Sequence, residues 1–171
     1  MYGTLETADG GQPRLRFERT LAHPPEKVWR AITEPEYLAQ WFPTTIDGRR
    51  VAGAHLSFEF PEGQLPAFEG EMLVFDPPRV MELRWGPDTL RFELRAVEEG
   101  TRLTLFDTLE ELGKAARDAA GWHTCLDALA AHLGEKPGSR AAKDTWNEVH
   151  PTYVAEFGPA SATIGPPEGM A

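Results

Sequence analysis

The sequence predicts a single α+β domain in which an antiparallel sheet wraps on a long C-terminal helix, with an apolar cavity between them. Three observations carry this. Segments of period two follow one another from residue 55 to 109, joined by tight turns. An apolar stripe of helical period then runs over residues 113–133. The length, 171 residues, suits one sizeable core better than two.

In chain order, Leu15-Arg16-Phe17-Glu18-Arg19-Thr20-Leu21 alternates apolar and polar residues as a first strand, and His23-Pro24-Pro25 stops it. A short helix follows with Val28, Trp29 and Ile32 on one face; Glu34-Pro35 breaks it. A second, over residues 35–40, ends at Trp41-Phe42-Pro43. Residues 55–60 place Leu56, Phe58 and Phe60 on one side of a strand. Further strands are expected at 68–75, at 80–85 with Met81, Leu83 and Trp85 in phase, at 89–97 with Leu90, Phe92, Leu94 and Ala96 inside, and at 102–109. Asp76-Pro77-Pro78-Arg79, Gly86-Pro87-Asp88 and Glu98-Glu99-Gly100 supply the turns. With no helix between them, these strands form an antiparallel meander.

On the closing helix, Ala115, Ala119, Trp122, Cys125, Leu126, Leu129, Ala130 and Leu133 share one side. Gly134 stands where a helix stop belongs, and Pro137-Gly138 reinforces the break. A shorter helical stretch over residues 141–156 carries Trp146, Val149, Tyr153 and Phe157, with Pro151 expected to interrupt or kink it. The domain is thus placed at residues 14–134, between a flexible N-terminus (1–13) and an accessory helical segment (135–157) followed by a mobile tail (158–171).

Seventeen Lys and Arg against 27 Asp and Glu give a net charge of −10, which excludes sequence-independent nucleic-acid binding. The one cysteine, Cys125, precludes an internal disulfide and suits the cytoplasm. Neither a signal peptide nor a membrane-spanning stretch is visible.

Phe17-Glu18-Arg19, the helix Pro25-Glu26-Lys27-Val28-Trp29-Arg30-Ala31, and Glu34-Pro35 followed by Trp41-Phe42 resemble one branch of the START/SRPBCC superfamily, that of activator of heat-shock protein 90 ATPase-like proteins. Gly70-Glu71 leading to Asp76-Pro77-Pro78-Arg79, Leu83-Arg84-Trp85 and Gly121-Trp122 fit the same branch, so the resemblance covers residues 15–133. It implies the helix-grip (Bet v 1/START-like) fold: a curved antiparallel sheet of about six or seven strands around the long helix, with two short helices after the first strand. The superfamily holds lipid carriers, hormone receptors, cyclases and a chaperone activator, so the resemblance implies a cavity more than an activity.

Trp41, Phe58, Met72, Trp85, Phe92, Trp122, Cys125 and Leu126 are the expected cavity lining, drawn from the inward faces of strands and helix. Asp118 falls inside the apolar arc of the closing helix. It is either a polar anchor or base in the cavity or a solvated carboxylate at the helix N-terminus. His123 and Cys125, two apart on a helix, point too far apart to share a metal, and no other spacing suggests a metal site or bound cofactor. His55 and His23 read as surface residues, and Glu69 and Glu71 as solvated. The expected function is binding of a small hydrophobic ligand. The alternatives are a cyclase or hydrolase with Asp118 as base, or a co-chaperone of a heat-shock ATPase. A homodimer through the sheet edge or the accessory segment would cover Trp146 and Tyr153.

Overall fold

The structure, a computed structural model, describes residues 1–134 and 141–167. Seven antiparallel strands form one sheet in the order β1-β2-β7-β6-β5-β4-β3. They are β1 (Thr4–Thr7), β2 (Pro13–Leu21), β3 (His55–Phe58), β4 (Phe68–Asp76), β5 (Val80–Trp85), β6 (Asp88–Val97) and β7 (Gly100–Thr108). Helices α1 (Pro25–Thr33) and α2 (Pro35–Leu38) follow β2, and α3 (Ala115–His132) and α4 (Ala142–Phe157) close the chain. This is the helix-grip arrangement.

Each element follows from its residues. Pro25 and Pro35 occupy the first helical positions of α1 and α2, where a missing N–H costs nothing. Glu34, forced into extended backbone by the proline after it, separates the two helices. Val28, Trp29, Ala31 and Ile32 bury one face of α1. The sheet presents Leu15, Phe17, Phe58, Met81, Leu83, Leu90, Phe92, Leu103 and Leu105 to a continuous core. Gly134, at φ 79°, ends α3 in the left-handed conformation that glycine adopts without a side-chain clash.

Several boundaries differ from the sequence expectations. The N-terminus, expected to be flexible, contributes β1, which pairs with the start of β2 from Thr4 opposite Arg16 to Thr7 opposite Pro13. Its anchor is Tyr153 of α4, whose hydroxyl accepts the Gly3 N–H at 2.8 Å and meets His123 Nδ1 at 2.9 Å. Gly3 lies so close to the Phe17 ring that a Cβ would sit 2.3 Å from it. The expected accessory segment therefore belongs to the core, with Val149 and Tyr153 buried in it. Pro151 does not interrupt α4, because it and Asn147, whose carbonyl loses a partner, both face solvent.

The tail expected to be mobile forms a 3₁₀ turn, Pro159–Ala162, with Ser161 fully buried, and Ile164 N–H bonds the Gly113 carbonyl at 3.0 Å. The expected break at Pro137-Gly138, the start of the accessory segment and tail residues 168–171 lie outside the described residues. Ala96, expected inside, is exposed near the end of β6. His23 is half-buried rather than superficial, its Nε2 2.6 Å from the Leu133 carbonyl at the end of α3.

Candidate functional site

A cavity of about 490 Å³ opens at one end of the sheet, where the β5–β6 turn faces the first turns of α3. Phe60, Phe68, Trp85, Trp122 and Trp146 supply aromatic walls, and Pro43, Pro166 and Pro167 complete the rim. Gly121 lies on the α3 side, and nothing comes within 4 Å of where its Cβ would stand. The tail and α4, through Pro166, Pro167 and Trp146, form the wall that the sheet leaves open.

Of the nine residues expected to line the cavity, Trp85, Asp118, Trp122 and Cys125 do so. Trp41, Phe58, Met72, Phe92 and Leu126 point inward but are covered by other side chains, each at most 4% exposed. They form the layer behind the wall. Phe58 packs on Trp85 at 4.9 Å between ring centroids, and Trp41 on Phe92 at 6.2 Å. The Trp41 indole N–H is spent on the Ala31 carbonyl at 2.8 Å. These side chains fill the interior behind the wall, and the cavity lies beyond them at the β5–β6 end. Trp146 and Tyr153, the aromatics that suggested a dimer face, are accounted for within the chain: one walls the cavity and the other is buried.

The polar side of the cavity is more elaborate than a single carboxylate. Asp118, in the first turn of α3, accepts a 2.6 Å bond from Arg117 Nε. Asp88, the first residue of β6, accepts Lys114 Nζ at 2.7 Å and the Glu110 N–H at 2.9 Å. Behind them Asp107, 1% exposed, accepts the Trp122 indole N–H on Oδ2 at 2.8 Å, while its Oδ1 has no hydrogen-bond partner among the described residues. Oxygens of Asp88, Asp107 and Asp118 lie within 4.8 Å of one another.

Burial, then the nearby Asp118 and Asp88 charges, push the Asp107 carboxyl well above the ordinary range, against the opposing pull of the Trp122 N–H and Lys114. Burial also raises Asp118, with Arg117 opposing. The Cys125 thiol is pushed up to about 12 by burial, which removes it as a nucleophile at neutral pH. The three carboxylates together could hold a cation, a donor set that His and Cys spacing does not reveal.

Sequence reasoning missed Asp88, Asp107 and Lys114. A signal existed for Asp107: it is in phase with Leu103 and Leu105 on β7, and a carboxylate on the buried parity of a strand is exceptional. Asp88 likewise precedes Leu90 and Phe92 in the inward set of β6.

A family model described as Activator of Hsp90 ATPase homolog 1-like protein matches residues 22–134. No curated protein matches the sequence significantly. Solved structures share the fold. CalU16 from Micromonospora echinospora is 21% identical, with 91% of this chain and 95% of that chain covered and a TM-score of 0.71. EF2215 from Enterococcus faecalis, a conserved protein of unknown function, is 19% identical over 91% and 90% of the two chains, TM-score 0.74. The protein encoded by BPP1335 of Bordetella parapertussis is 25% identical over 89% and 90%, TM-score 0.69.

Proposed function

This chain belongs to the Activator of Hsp90 ATPase homolog 1-like family, and we propose that it binds a small, largely apolar ligand in the cavity between Trp85, Trp122 and Trp146. The observation that carries this reading is the cavity itself. Its volume, about 490 Å³, lies within the size range of small-molecule sites, and aromatic walls with a few convergent polar groups are the usual makeup of such sites. Burying roughly 200 Å² of ligand apolar surface there contributes about 5 kcal/mol before the entropy of association is subtracted. The polar floor then orients what the walls hold.

Native mass spectrometry of the protein freshly isolated from its host tests the reading. A bound organic molecule, released on denaturation and displaced by Gly121→Leu, is the expected result. Failure of both native spectra and a thermal-shift screen of lipids, flavonoids and polyketides, alongside capture of a heat-shock ATPase, would favour the co-chaperone role that the family description carries.

The buried carboxylates favour a second reading, acid–base catalysis on an apolar substrate with Asp118 as base. Turnover of a candidate substrate that Asp118→Asn abolishes, with binding retained, would establish it.

A further inference from the structure

The floor of the cavity has a charge imbalance that the apolar walls do not explain. Three carboxylates, Asp88, Asp107 and Asp118, stand with oxygens within 4.8 Å of one another. Two cations answer them: Lys114 bonds Asp88 at 2.7 Å, and Arg117 bonds Asp118 at 2.6 Å. The third carboxylate, Asp107, has no ion-pair partner among the described residues. Among the described residues its Oδ1 makes no hydrogen bond, although the residue is 1% exposed. A buried acceptor without a donor is costly, and a buried carboxylate without a counter-charge more so.

The indole of Trp122 ties this group to the cavity wall, donating to Asp107 Oδ2 while its ring lies 5.8 Å from that of Trp85, tilted by 59°. Aromatic faces beside a surplus negative charge are the combination that attracts an organic cation: the ring quadrupole and the carboxylate act in the same direction. The chain's net charge of −10 acts in that direction at long range.

Resting on the cavity reading above, we infer that the ligand is an apolar monocation: a hydrophobic body between the tryptophans with one amine directed at Asp118 and, behind it, Asp107. With all three carboxylates ionised the group lacks one positive charge, and an ammonium at Asp118, which lines the cavity, brings that charge within Coulombic reach of Asp107 behind it. An anionic ligand is disfavoured, since Lys114 and Arg117 are already engaged. A proton is the simplest competitor for the same role, because burial and then the neighbouring carboxylates push Asp107 toward its neutral form.

Isothermal titration calorimetry with a matched series tests this: 1-naphthylmethylamine, 1-naphthalenemethanol and 1-naphthoate, on the full chain. The amine is expected to bind about tenfold or more tighter than the alcohol, and the carboxylate weakest. The amine-over-alcohol preference should collapse in Asp118→Asn, and also in Asp107→Asn, with circular dichroism confirming that each variant is folded.

An alcohol as tight as the amine overturns the charge assignment and leaves the apolar cavity standing. A carboxylate that binds best overturns it in favour of Lys114 and Arg117 as anchors. Calcium chloride that abolishes amine binding by occupying the three carboxylates makes the floor an inorganic cation site and overturns it as well. If none of the three probes binds, the cavity reading falls and this inference with it.

Discussion

Gly121 offers a way to fill the cavity without disturbing the fold. It stands within α3 on the cavity wall, and a Cβ there would meet nothing within 4 Å. Glycine in a helix interior is about 0.8–1.0 kcal/mol less favourable than alanine. Gly121→Ala should therefore stabilise by nearly that amount, and 1 kcal/mol in a chain of this size moves Tm by roughly 2–4 °C. Gly121→Leu keeps a good helix former but adds a branched side chain to the cavity wall, where Gly121 leaves open space.

The expected pair of results is a Tm at or above that of the parent for both variants, by differential scanning calorimetry, and loss of 1-naphthalenemethanol binding by about tenfold or more for the leucine variant alone. A fall in Tm for Gly121→Ala would refute the open space at that position. A stable Gly121→Leu protein that binds with unchanged affinity would refute the cavity as the site.

Three further outcomes follow from the same contacts. Trp122→Phe removes the donor to Asp107 Oδ2 and should lower stability by about 1–3 kcal/mol in urea denaturation, since it leaves that carboxyl without a partner. Because the folded Asp107 pKa is raised, its contribution to stability is fully present below the unfolded carboxylate pKa and is lost as pH rises through the folded value. Over that window one proton is worth about 1.4 kcal/mol per pH unit, so the Tm of Asp107→Asn minus that of the parent should grow with pH; a pH-independent difference would count against the buried ionisation. Tyr153→Phe strips the Gly3 N–H and His123 of their shared partner; it should cost about 1–2 kcal/mol and speed hydrogen exchange at the Gly3 amide while leaving β6 amides slow.

The strands and the closing helix were legible because their burial is local in pattern: period two in β5 to β7 and period 3.6 in α3 expose the inward residues directly. That same logic could not separate Trp85 and Trp122, which border open space, from Phe58, Phe92 and Leu126, which are covered. The distinction depends on distant partners: Trp146, Pro166 and Pro167 wall the open end, and none has a sequence neighbour in the sheet. The N-terminal strand was illegible for a similar reason. Thr4–Thr7 is short and polar, and its place is set by Tyr153, 150 residues beyond Gly3. Asp118 was visible as a carboxylate in an apolar arc. Asp107 gave the same kind of signal on β7, but its significance depends on Asp88 and Asp118 meeting it in space.

Occupancy of the end cavity by a ligand is tested most directly by a crystal structure of the protein with the molecule that copurifies from its host. Ligand density is expected among Trp85, Trp122 and Trp146, with its polar end toward Asp118. Density instead in the groove lined by Pro35, Leu38, Phe42 and Ile46 would contradict it.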